Sequence, residues 1–357
     1  MSNIKHQAWP DIGQFRNLIR AVKEKATFSH LDANGDAVFD NCKPLPTLKF
    51  QGTVKLHGTN ACLIIDSKQD LYFQSRERMI TVEDDNAGFC RFFTDLKTSG
   101  VNLWEMVNAE TLLKKISDDE EEPSDCTIRI YGEWAGGNIQ KGVALNKLQK
   151  MFVIFGVKVG NLWMTPDEVA SFPAMPQHNI FNVYSAPTYE LIVDFNKPEI
   201  AQDQIVKLVE EVEKLCPWGA KFGVEGIGEG LVWRCVTKGW ESTSYYMKTK
   251  GEKHSVSRVK TVASVDVEKI ADERAFCEMV VSDARCVQMV QKVKESGIKV
   301  VDRTQIGSFL RYLYNDVVKE ESDVATDNGL DLKKMGGMIS TYGKQWFFKN
   351  EDKFDEL

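Results

Sequence analysis

A change of hydrophobic period near residue 260 constrains this chain more than any other feature of its sequence. Before it, apolar runs of strand length recur over residues 61–65, 71–76, 127–134, 151–157 and 231–233, bounded by glycine and polar punctuation. Helical spacing appears between them over 87–116, where Phe89, Phe92, Phe93 and Leu96 fall together, and over 199–215, with Ile205, Leu208, Val209 and Val212 on one face. Beyond Lys260 the pattern is helical. Cys277, Val280, Val281, Ala284 and Val287 share one face, Ile306, Phe309, Leu310, Leu313 and Val317 a second, and Leu332, Met335, Met338 and Ile339 a third. The class this predicts is α+β: a mixed domain over 1–258 and a small all-α domain over 259–357. A first helix is expected from Trp9-Pro10-Asp11-Ile12 onward, loops and short hairpins over 33–46, and an irregular connection between Pro173 and Pro198.

The residues able to do chemistry stand at the ends of the strands. Thr53-Val54-Lys55-Leu56-His57-Gly58-Thr59-Asn60 puts Lys55 at a strand edge beside apolar neighbours, with Gly58 providing the freedom for a sharp turn. A lysine there is stabilised less in its charged form, so its pKa is expected below the usual value of roughly 10.4, and a free amine is a nucleophile. Glu133 ends the strand 127–134. Glu229 directly precedes 231–233, with Glu225 as the alternative, and Lys248 and Lys250 share one face of a strand because side chains alternate with period two.

Composition limits the possibilities. A chain of 357 residues can hold two domains. Its net charge of −7 argues against a protein that coats nucleic acid non-specifically, although acid is concentrated over 117–125 and base over 234–260. No run of eighteen apolar residues occurs and the opening residues lack a signal peptide's apolar stretch, so an intracellular protein without membrane partners is expected. Eight cysteines at scattered spacings indicate neither a disulfide framework nor a zinc site.

In this order the motifs resemble the covalent nucleotidyltransferases, and Lys55-Leu56-His57-Gly58-Thr59-Asn60 is similar to the nucleophile motif of the RNA ligase 2-like branch. The match extends through Ser75-Arg76, Tyr131-Gly132-Glu133, Phe152-Val153-Ile154-Phe155, Glu229-Gly230 and Lys248-Thr249-Lys250, six motifs in one order. The resemblance implies an adenylylation domain of antiparallel sheets with flanking helices, of ATP-grasp-like type, followed by an RNA-binding helical module.

It also implies a chemistry. Lys55 would take AMP from ATP and pass it to an RNA 5′-phosphate, which a 3′-hydroxyl then attacks; nicked duplex RNA is the favoured substrate and a monomer is expected. Arg76 would contact ribose or phosphate, Glu133 a ribose hydroxyl, and Phe155 would stack on adenine, with Phe152 on the opposite strand face as its competitor. His57 and Asn60 would face the transferring phosphate, Lys248 and Lys250 the phosphates of ATP, and Glu229 would hold Mg²⁺ (or Mn²⁺). Gly156 stands where the family usually has an acid. A DNA ligase, a capping guanylyltransferase and an inactive RNA-binding relative are the alternatives.

Overall fold

The computed structural model describes residues 4–119, 126–140, 142–251, 272–298 and 300–354. The chain separates into two compact units, Met1–Thr249 and Lys250–Leu357. The domain boundary expected at 258/259 lies outside the described residues.

The first unit opens with helix α1 (Phe15–Thr27) and a hairpin of β1 (Phe28–Leu31) and β2 (Ala37–Phe39). Then come β3 (Thr47–Lys55), β4 (Thr59–Asp66), β5 (Leu71–Ser75), β6 (Met79–Ile80), helices α2 (Phe89–Thr98), α3 (Leu103–Met106) and α4 (Ala109–Asp119), and β7 (Thr127–Ala135). Next are β8 (Met151–Val159), β9 (Leu162–Trp163), α5 (Pro166–Ala170), β10 (Ile180–Asn182) and β11 (Thr188–Asp194). Helices α6 (Glu199–Lys214) and α7 (Pro217–Lys221) precede β12 (Gly230–Cys235) and β13 (Met247–Lys250).

One sheet runs β10-β8-β7-β4-β5-β6, with β9 on β8, and a second runs β11-β3-β12-β13. The pairings are antiparallel except for β10 on β8, among those whose register is defined.

The run 61–65 is apolar throughout because β4 is covered on both faces. Ala61, Leu63 and Ile65 face a core with Phe89, Phe93 and Phe152, whereas Cys62 and Ile64 face Trp9 and Tyr131. The second sheet is covered by α6, which lies against β11 and β12.

Three expectations are corrected. Residues 9–12 do not start a helix. The segment before Phe15 lies along the first sheet and then meets β13 of the second: Gln7 N–H donates to Gln74 Oε1, Gln74 Nε2 and the Tyr131 hydroxyl donate to Gln7 O, and Lys248 N–H donates to Gly13 O. Pro10 biases Trp9 toward extended backbone, and a capping box between Gln14 and Asn17 starts the helix instead. Between Pro173 and Pro198 two strands form, and β11 pairs with β3 over its whole length. Finally, the face drawn through Cys277–Val287 is cut in two: α8 (Glu273–Val280) ends, and Ser282 caps α9 (Asp283–Glu295) by accepting from Arg285 N–H.

The second unit is helical among its described residues, with α10 (Ile306–Asp327) and α11 (Leu332–Asn350) packed against α8 and α9. Its core holds Phe276, Cys277, Val290, Phe309, Leu313 and Phe347. Arg285 is fully buried there, donating to Asp316 and Glu321 at 2.8 Å each and to Val280 O at 2.6 Å. Such a charge is tolerated because its donors are met by carboxylates and a carbonyl.

Candidate active site

The antiparallel register of β3 and β12 builds the centre of the site. Lys55 pairs with Gly230 across the ladder, so Glu229, one residue earlier, arrives beside the lysine. Lys55 Nζ lies 2.7 Å from Glu229 Oε2, and His57 Nδ1 lies 3.3 Å from the same oxygen. Glu229 is 2% exposed and Lys55 23%. The lysine's surroundings are therefore not the apolar ones expected from its neighbours in sequence: a buried carboxylate faces it. Of the two candidate acids the structure brings Glu229 to Lys55, while Glu225 is exposed.

A second contact joins the turn after Lys55 to the first sheet. Gly58 N–H donates to Glu133 Oε1 at 2.9 Å, and Asn60 is the register partner of Glu133 across β4 and β7, which puts both side chains on one face. The reason for glycine at 58 is space rather than a left-handed turn. A Cβ there would sit 2.4 Å from the carbonyl oxygen of Trp134 and 2.9 Å from the Ala135 Cβ, and Gly58 is absent from the positive-φ glycines.

The two phenylalanines of β8 separate clearly. Phe152 is 1% exposed and packs against Phe89 and Phe93, with centroids 5.2 and 5.4 Å away. Phe155 is the residue skipped where the β7–β8 register shifts, and it projects to the other face, toward Trp9. It borders a cavity of about 240 Å³ shared with Trp9, Trp163, Arg234 and Tyr246. Trp9 also explains Gly156. The indole lies on that glycine so closely that a Cβ would come within 2.1 Å of it, leaving no room for an acidic side chain. Trp9 stands 5.0–5.3 Å from Phe155, Trp163 and Tyr131 between ring centroids. Trp9→Phe should lower stability by about 1–2 kcal/mol through incomplete filling of this space, measurable in thermal unfolding.

Lys248 and Lys250 lie opposite Thr249 on β13. Thr249 Oγ1 accepts from the Trp233 indole at 3.1 Å and so belongs to the Trp233 side of the sheet, which leaves Lys248 on the side of Lys55 and Val232. Lys250 follows two residues on in the same strand and is the first residue of the second unit. Arg76 forms an ion pair with Asp11 of the N-terminal segment. The remainder of the basic stretch, from residue 252 on, lies outside the described residues.

Sequence reasoning did not single out Arg234. It is 3% exposed, donates to Thr53 Oγ1 at 2.6 Å and to Phe155 O at 3.5 Å, and so ties β12 to both sheets. Its guanidinium lies 5.7 and 5.8 Å from the rings of Tyr184 and Tyr246. Burial raises the Tyr184 hydroxyl and pushes Tyr246 up to about 12, so both stay neutral near pH 7. The period-two count from Val232 was the available signal. Cys62, on the Asn60 face, is a buried thiol whose pKa burial raises; it is held protonated and offers no competing nucleophile.

Among the described residues no group of three or more His, Cys, Asp and Glu side chains could enclose a metal ion. The carboxylate beside Lys55 is that of Glu229. A single carboxylate fits Mg²⁺, which is usually held by one or two carboxylates together with substrate phosphates and water.

The chain belongs to the RNA ligase family: the model of that family matches residues 48–260, a span that contains Lys55, Glu133, Glu229 and both lysines of β13. Similar solved structures include three of Naegleria gruberi RNA ligase. One is a mutant with AMP and Mn, at 15% identity and TM-score 0.40, covering 69% of this chain and 56% of that one. A second mutant, with ATP and Mn, has the same identity and TM-score, covering 68% and 56%. The third, with PPi, is 15% identical with TM-score 0.37, covering 71% and 61%. The chain thus spans less than two thirds of the length of these structures. No curated protein matches it significantly.

Proposed function

We propose that this chain is an ATP-dependent RNA ligase that seals a 3′-hydroxyl to a 5′-phosphate, with nicked duplex RNA favoured, through AMP carried on Lys55. The observation that carries the reading is the amine and carboxylate 2.7 Å apart, Lys55 Nζ and Glu229 Oε2, in a family whose members are RNA ligases. Lys55 Nζ attacks the α-phosphorus of ATP. A P–N bond forms, the P–O bond to pyrophosphate breaks, and the proton leaving the amine passes to solvent, with Glu229 orienting Nζ.

Lys248 and Lys250 place positive charge against the phosphates, and Arg76, once released from Asp11, can reach the nucleotide. Glu133 meets a ribose hydroxyl and Phe155 the adenine face, a contact worth about 1–3 kcal/mol in comparable stacking sites. His57 and Asn60 face the transferring phosphate. Glu229 would hold Mg²⁺, which when bound would supply charge neutralisation at the leaving pyrophosphate. The helical unit binds the RNA, and the protein acts as a monomer.

The test is covalent labelling. Protein incubated with Mg²⁺ and α-labelled ATP is expected to carry one adenylate and to release it on addition of nicked RNA with a 5′-phosphate. Label from GTP instead would indicate a capping enzyme, and transfer to nicked DNA but not RNA a DNA ligase. No label from either nucleotide on folded protein would remove the reading.

A further inference from the structure

The N-terminal helix and hairpin, residues 15–43, lie outside the span matched by the family. Together they hold five Lys and Arg against four Asp and Glu, and the excess of base lies on the helix, since the hairpin and the turn after it carry Asp32, Asp36 and Asp40 against Lys43. Helix α1 has four cations, Arg16, Arg20, Lys23 and Lys25, against one carboxylate, Glu24. Its apolar face is used internally, since Phe15, Leu18 and Val22 are buried. Arg16, Arg20 and Lys23 follow at four- and three-residue spacing and so form one stripe, about 10 Å long at 1.5 Å rise per residue.

The stripe does not face open solvent on a smooth surface. With Ile19, Glu24 and Thr27 it forms one wall of an open groove of about 570 Å³, so three cations there face one carboxylate, and the other wall is Phe39 and Asn41 at the end of the hairpin. Phe39 is 44% exposed and meets Phe28, 42% exposed, edge-on at 6.4 Å. Cations spaced along a groove with an accessible aromatic face and an amide at its rim suit a chain of phosphates with unstacked or terminal bases. The groove also starts near the proposed chemistry. Gly13, two residues before α1, forms a parallel bridge with Met247 and accepts a hydrogen bond from Lys248 N–H, so the stripe leads away from the strand that carries Lys248.

We infer that the groove between α1 and the β1–β2 hairpin is an accessory RNA-binding surface, in which Arg16, Arg20 and Lys23 contact backbone phosphates and Phe39 stacks on a base. This rests on the reading of RNA as substrate. The basic stripe and the ring act together: phosphates set the affinity and its salt dependence, and the aromatic face favours RNA with a frayed or single-stranded flank.

The test compares the wild-type chain with R16A/R20A/K23A, R20A/K23A and F39A by fluorescence anisotropy. The probe is a fluorescein-labelled nicked RNA duplex with a single-stranded flank, titrated over a range of KCl concentrations. Labelling by ATP, which needs no RNA, runs in parallel. The triple variant should bind about tenfold more weakly, and its slope of log affinity on log salt should fall by about two, since each lost phosphate contact to a single strand removes about 0.7. R20A/K23A, which leaves the Arg16 contact with Gln14 in place, should show an intermediate loss, and F39A should weaken the flanked probe more than a blunt one. ATP labelling should stay within twofold of wild type in all three. Unchanged affinity and salt slope in variants that label normally would overturn the inference while leaving the ligase reading intact. A wild-type protein that labels with ATP but binds no RNA would overturn both. A change from dimer to monomer in sedimentation, with RNA affinity unaltered, would reassign the groove to self-association and overturn the inference.

Discussion

Replacing Lys55 by alanine should reduce sealing of nicked, 5′-phosphorylated RNA to below about one thousandth of the wild-type rate, because Lys55 is the amine that the pairing of β3 with β12 sets beside Glu229. The same protein should still join RNA whose 5′ end already carries AMP, since that substrate enters after the lysine has finished its part. Alanine has a second effect to be separated from the first: it leaves the buried Glu229 without its 2.7 Å partner. Lys55→Arg resolves this. Its guanidinium keeps a positive charge beside Glu229 but stays protonated at working pH and cannot attack phosphorus. Both variants are therefore expected to lose the adenylate label, whereas Lys55→Arg should retain more of the thermal stability. Joining rates on the two RNA substrates, measured side by side, check the assignment. Equal loss on the pre-adenylylated RNA, in protein that melts normally, would mean that Lys55 serves the later steps and is not the carrier.

The contact at the centre of the candidate site was legible because each half of it is local. Lys55, His57 and Gly58 lie within four residues, and Glu229 abuts the strand that pairs with β3, so strand order and adjacency to an apolar run sufficed to choose it over Glu225. The strands themselves were legible where both faces are covered, as in β4, since burial on two sides leaves an unbroken apolar run. β11 escaped notice for the converse reason. Leu191 and Val193 are buried, but Ile192 is 64% exposed and prolines stand close at either end, so neither a continuous run nor a clean alternation is visible.

Non-local partners were the other loss. Nothing near Trp9 says that its indole fills the space over Gly156, and nothing near Gly156 says why the acid of the family is missing there; each residue explains the other only once the sheet brings them together. Arg234 belongs with them. On its own it reads as part of a basic stretch, yet its burial between Tyr184 and Tyr246 makes it a fixed strut rather than a surface charge. The break between α8 and α9 was readable in principle from Ser282-Asp283, a capping residue followed by an acid in the first turn, but the apolar spacing on either side happened to continue across it.

Gly58→Ala should cost about 10²-fold in adenylate labelling while leaving most of the fold intact. The added methyl would stand 2.4 Å from the Trp134 carbonyl oxygen, and that oxygen is backbone in β7, so it cannot swing aside as a flexible side chain would. The relief has to come from the turn, which carries His57 and lies between Lys55 and Asn60. Moving the turn also lengthens the Gly58 N–H contact to Glu133, 2.9 Å in the intact protein, and so loosens the link between the strand of Lys55 and the carboxylate proposed for the ribose. A displacement of about 1 Å at a reacting centre can lower a rate 10²-fold, whereas overpacking of one methyl costs about 1–3 kcal/mol of stability. Thermal unfolding and initial rates of labelling with ATP therefore separate the two effects, and the rate should fall further than the shift in unfolding accounts for. Glu133→Gln supplies the control, because its amide oxygen can still accept the Gly58 N–H with the turn in place. Should Gly58→Ala label at the wild-type rate, the turn would have room that its neighbours in β7 do not provide, and the geometry assigned to Lys55 would not depend on it.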